Sequence, residues 1–142
     1  MPNIIIVGIF CEDIREDAEG LFTLVRVFPD TVILSSFPNM LRSLAFYLRV
    51  NVERSFEPTP IRVVLRVRGQ QDMPLTILDL DIIQQAQAEA VSQGLPFGTI
   101  VTTAAASGFP ISHPDRVSAV AIVGEAEVLC GTLKFEAAAD VC

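Results

Sequence analysis

The chain has 142 residues, 51% of them hydrophobic and 19% charged, with mean hydropathy +0.49 and a net charge of −7 at a pI of about 4.5. That length suits one domain with a core large enough to need no disulfide or metal staple. The acidic balance argues against a general nucleic-acid binder, and no apolar run approaches the eighteen or so residues of a membrane span.

The surplus of apolar residues must be covered, either by the core or by a partner, so a homo-oligomer or a stable complex with another protein is expected rather than a monomer. The apolar run at 3–10 lacks a preceding basic region and a following cleavage site and does not read as a secretory signal. Cys11, Cys130 and Cys142 make an odd count with no close pair. Reduced thiols in a cytoplasm are the expectation, not a disulfide framework.

Taken in chain order, residues 3–11 are apolar on both faces, as in a covered central strand. The acidic segment from Glu12 to Gly20 has the carboxylates that calcium or magnesium needs, but neither the alternate ligand spacing nor the central glycine of a calcium loop. It reads as a solvated turn, and no metal is expected there. Strands follow at 21–28 and 31–35, the second after Pro29-Asp30.

The clearest alternation places Leu44, Phe46, Leu48, Val50 and Val52 on one face and Ala45, Tyr47, Arg49, Asn51 and Glu53 on the other. Beyond Pro58 and Pro60, Ile61, Val63, Leu65 and Val67 alternate with Arg62, Val64, Arg66 and Arg68. These two segments are expected to be neighbouring antiparallel strands.

From Asp79 to Gln93 the period changes. Ile82, Ile83, Ala86, Ala90 and Val91 fall at helical spacing, Asp79 or Asp81 can cap the start, and Gly94 before Leu95-Pro96 stops it. Residues 99–105 form a weaker, alanine-rich strand, and 117–123 and 127–136 flank a hairpin turn at Gly124-Glu125. Together these elements predict a mainly β fold over residues 1–142: a two-sheet antiparallel β-sandwich, immunoglobulin-like or similar, with one α-helix near 79–93. Periodicity alone leaves a closed barrel open.

No phosphate-binding glycine loop, paired Cys-x-x-Cys, His-Glu-x-x-His or Gly-x-Ser-x-Gly elbow is present, so no catalytic residue, cofactor or metal is assigned. The lone His113, in Ser112-His113-Pro114-Asp115, reads as a surface turn residue rather than the base of a Cys or Ser nucleophile, and Cys11 and Cys130 as buried small hydrophobes. The constellation that stands out is Tyr47, Arg49, Arg62, Arg66 and Arg68. On neighbouring strands these five would form one basic, aromatic-bearing face able to hold an anionic ligand, a single-stranded nucleic acid or an acidic patch of a protein partner, the last expected first. The plainer reading pairs those arginines with Glu53, Glu57 and other carboxylates.

The run Phe10-Cys11-Glu12-Asp13-Ile14-Arg15, followed by Gly20-Leu21-Phe22-Thr23-Leu24-Val25 and Phe37-Pro38-Asn39-Met40-Leu41, resembles an uncharacterised bacterial domain family. Its members begin with a Phe-Cys-Asp-Asp-Ile-Arg type strand end, with a later Phe-Pro before a long strand. Here Glu12 stands where Asp is common and Phe28 where a tyrosine is usual. The resemblance covers about the first third of the chain. It implies a small bacterial cytoplasmic β domain and no activity.

The function expected first is a non-catalytic protein-binding or assembly module that self-associates. The alternatives are a small-molecule binder or enzyme, with a pocket lined by Pro96, Phe97, Phe109 and His113, and a structural component of a phage-like particle.

Overall fold

A computed structural model describes residues 4–138. Nine strands and one helix run in the order β1 Ile4–Glu16, β2 Phe22–Val27, β3 Thr31–Leu34, β4 Asn39–Glu53, β5 Ile61–Val67, β6 Met73–Leu78, α1 Leu80–Gln93, β7 Phe97–Ile111, β8 Arg116–Val123 and β9 Ala126–Ala137. They make a four-stranded sheet of order β2-β1-β4-β7 and a five-stranded sheet of order β3-β9-β8-β5-β6. The fold is thus mainly β, two sheets and a helix, as the alternation predicts. Among the described residues no strand pairing joins one sheet to the other, so these strands form an open sandwich rather than a closed barrel.

The pairing of the two clearest strands differs from the expectation. β4 pairs with β1 and β7, whereas β5 pairs with β8 and β6. They belong to different sheets and face each other. The period of two fixes which side of a strand is apolar, but two such strands bury that side equally well side by side or face to face. Leu48, Val50 and Val52 of β4 and Ile61, Val63 and Leu65 of β5 are all buried in the shared core. The connection between them turns inward through buried Phe56, and Gln87 of α1 donates hydrogen bonds to the carbonyls of Phe56 (2.7 Å) and Glu53 (3.1 Å).

Three further differences have local causes. Every pairing is antiparallel except β3 with β9, which is parallel, because the chain crosses from one sheet to the other at Pro29-Asp30. Lys134 donates its amide to the Asp30 carbonyl at 2.9 Å, leading β3 in alongside β9. β1 is longer than expected and is not covered on both faces: Ile5 is 61% exposed and Val7 49%. β6 is an additional strand on the sheet edge, where Pro74 is tolerated and a bulge in the pairing absorbs the irregularity. Asn3 and Cys142 lie outside the described residues.

The helix forms as its sequence dictates. Asp79 caps it by accepting the Ile82 amide at 3.1 Å, and Gly94 ends it in the left-handed conformation, φ 68°. Ile83, Ala86 and Ala90 are buried, while Ile82 and Val91 remain exposed. The helix seats against β7 at Gly98, where any Cβ would overlap the Ala86 carbonyl. α1 therefore packs against the start of β7 and the neighbouring part of β4.

Candidate functional site

The structure divides the five residues that the sequence groups together. Tyr47 and Arg49 lie on the outer face of the four-stranded sheet, where the Tyr47 ring meets Phe22 edge-on at 6.0 Å. Arg62 and Arg66 lie on β5 in the other sheet, and Arg68 follows immediately after it. No single arginine face exists, because the strands bearing it lie face to face, with outward sides pointing in opposite directions.

On the five-stranded sheet the arginines are held by carboxylates. Arg66 reaches Asp72 at 2.9 and 3.1 Å and Glu127 at 2.9 and 3.1 Å, spanning the sheet from β6 to β9. The guanidinium holds both carboxyls below their usual range, chiefly through these hydrogen bonds. Arg68 approaches Asp115 at 3.6 Å, and His113 Nε2 lies 3.3 Å from the same Asp115 oxygen. Asp115 is fixed by its own backbone: its Oδ1 accepts the Arg116 amide at 2.8 Å and its carbonyl accepts the Phe135 amide at 2.8 Å. His113 thus faces a carboxylate and solvent, not a thiol or hydroxyl.

The acidic turn is organised by Asp17, whose carboxylate accepts the amides of Glu19 and Leu21. Among the described residues no group of three or more His, Cys, Asp or Glu is placed to hold a metal ion. Cys11 and Cys130 are buried and unpaired. Burial pushes the Cys130 thiol up to about 11 and raises Cys11 as well. The lining suggested by Pro96, Phe97, Phe109 and His113 is only half assembled: Phe109 and His113 line one small crevice, but Phe97 sits at the opposite end of β7, about 40 Å from Phe109 along an extended chain.

β7 is fifteen residues long and pairs with β4 along its whole length, from Asn39 opposite Ile111 to Glu53 opposite Phe97. Its other side pairs with no strand among the described residues, so β7 is an edge. Edges offer a row of free amides and carbonyls to any extended chain, and proteins usually blunt them with charge, proline, bulges or shortness. The other edge strands are short or interrupted: β3 has four residues, β6 has six with Pro74, and β2 has six with Arg26 in the left-handed region at φ 55°. β2 pairs with β1 only from Cys11 to Glu16, so Ile4–Phe10 of β1 has no strand pairing on that side among the described residues, and there β1 lies against β9 of the other sheet. β7 has no Asp, Glu, Lys or Arg, and it is interrupted only toward its end, by Gly108 at φ 68° and Pro110. Beside it lies an apolar crevice formed by Met73 and Leu75 of β6 with Ala104 and Ala106 of β7, above Leu44 and Phe46. The signal for this edge is present in the sequence as the absence of charge between Glu89 and Asp115, but alanine-rich residues of low packing area obscure the length of the strand.

The chain is a two-sheet β-sandwich with one helix, and no helix among the described residues is long and apolar enough to cross a membrane. No protein-family model matches the sequence, and comparison with curated proteins finds no significant match.

Proposed function

We propose that this protein is a non-catalytic assembly module that self-associates by antiparallel pairing of β7 with β7 of a second copy. The observation that carries the reading is the long, uncharged edge of β7, free of interruption as far as Gly108, whereas β2, β3 and β6 are short or interrupted and the unpaired Ile4–Phe10 stretch of β1 lies against β9. A strand pairs with its own copy about a two-fold axis, so one surface supplies both halves of the contact, joining two four-stranded sheets into one of eight. The outer face of the joined sheet carries Ile5, Val7 and Val27, all exposed in the single copy. A doubled aliphatic face of this kind is suited to a protein partner. The buried, unpaired thiols of Cys11 and Cys130 fit a reducing, cytoplasmic setting.

The test is sedimentation of the wild-type chain beside the double variant Thr103→Lys and Ala105→Lys. Both residues are exposed on the outer side of β7, so the monomer fold should be retained, as an unchanged circular dichroism spectrum would verify. Lysines on an edge oppose pairing by charge and by the cost of burying them. The expected result is a wild-type dimer and a monomeric variant. A wild-type monomer at all concentrations, or an oligomer indifferent to the two lysines, contradicts the proposal.

A further inference from the structure

The five-stranded sheet gathers basic side chains at one level of its outer face. The β8–β9 register sets Arg116 directly opposite Lys134. β5 is paired to β8 through Val67 and Val117, and its next residue is Arg68, which extends the row on the far side of Arg116. One step along, Arg66 stands opposite Ser118, and Ser118 opposite Thr132.

Like charges placed directly across an antiparallel pair repel, and a purely structural sheet face places opposite charges there instead. The repulsion here is only partly offset. Arg66 is satisfied by Asp72 and Glu127, Arg68 leans on Asp115, and Lys134 meets Glu136 at 2.7 Å. Arg116, at the centre of the row, has no carboxylate partner among the described residues. Arg66, Arg68, Arg116 and Lys134 all border one open cleft of about 760 Å³, which Ser118 and the carboxylates Asp115 and Glu136 also line, so four basic side chains face two acidic ones. Four of the ten basic residues of a chain with net charge −7 thus surround a single cavity.

We propose that this cleft binds a phosphate group, carried on a small molecule or free. Facing side chains of an antiparallel pair start about 5 Å apart, a span one tetrahedral oxyanion can bridge, so Arg116 and Lys134 can grip the same phosphate. The Arg116 guanidinium presents two parallel donors that match two phosphate oxygens, Lys134 adds a point charge, and the Ser118 hydroxyl supplies a neutral donor beside them. Arg68, held to Asp115 only at 3.6 Å, is free to turn toward the ligand. The rest of the cavity falls in the size range of small-molecule sites, leaving room for the body of a phosphate ester.

The experiment is calorimetric titration, at low salt, of the full chain with adenosine monophosphate and separately with inorganic phosphate. Saturable binding of either supports the site; tighter binding of the nucleotide identifies an ester ligand, and equal binding a free phosphate. Removing one charged donor to phosphate should weaken binding about tenfold or more in Arg116→Ala and in Lys134→Ala. Both side chains project from exposed positions, and an unchanged melting temperature in each variant would separate lost binding from lost fold. Arg49→Ala, on the opposite sheet, should bind as the wild type. No saturable binding by the wild type up to about 10 mM ligand, binding unaltered in Arg116→Ala, or equal weakening in Arg49→Ala would overturn the proposal.

Discussion

Arg66 is the residue on which the outer face of the five-stranded sheet turns. One guanidinium ties Asp72, just ahead of β6, to Glu127 in β9, so a single side chain bridges strands that are not neighbours. Both carboxyls are held below their ordinary range in the folded chain. Their contribution to stability is therefore complete above the unfolded-chain values of about 4 and is lost as pH falls through the lower folded values. Arg66→Met is predicted to melt below the wild type at pH 7, with the difference shrinking as pH falls through the lowered folded values of Asp72 and Glu127. Thermal melts of the two proteins across that range check this. An equal difference at both ends of the range would show that Arg66 acts through packing of its stem rather than through charge.

The elements show where the sequence speaks and where it is silent. Helix α1 is legible to its ends, since an aspartate that can cap and a glycine that can turn left-handed are local chemistry. Asp79→Ala is predicted to cost about 1 kcal/mol through loss of the cap to the Ile82 amide; denaturant unfolding measures it, and a loss near zero would mean that packing of Ile83 and Ala90 alone holds the helix. The strands are equally legible as strands, because alternation of Leu44 through Val52 and of Ile61 through Val67 is also local. What local pattern does not carry is which strand lies beside which. The assignment of β4 and β5 as neighbours fails on this point, and with it the grouping of Tyr47 and Arg49 with Arg62, Arg66 and Arg68. β6 is obscured by Pro74, acceptable only because the strand is an edge, which is itself a property of the sheet. The Arg68, Arg116 and Lys134 row is illegible for the same reason: three segments far apart in sequence meet only through the pairing of β5, β8 and β9.

Across the whole molecule the sheet edges are unequal. β2, β3 and β6 are short or interrupted and the unpaired part of β1 lies against β9, whereas β7 is long, uncharged and beside an apolar crevice. Assembly through that edge leaves the cleft around Arg116, on the outer face of the other sheet, open to solvent, so each copy of an oligomer would keep its own phosphate site. The most direct measurement is amide hydrogen exchange along residues 99–107 of the wild-type chain, first at high protein concentration and then after dilution. Assembly through β7 predicts protection of every second amide, those pointing away from β4, at high concentration, and its loss on dilution while the amides bonded to β4 stay protected. Fast exchange of the outward amides at every concentration would show the edge of β7 to be free, and would contradict assembly through it.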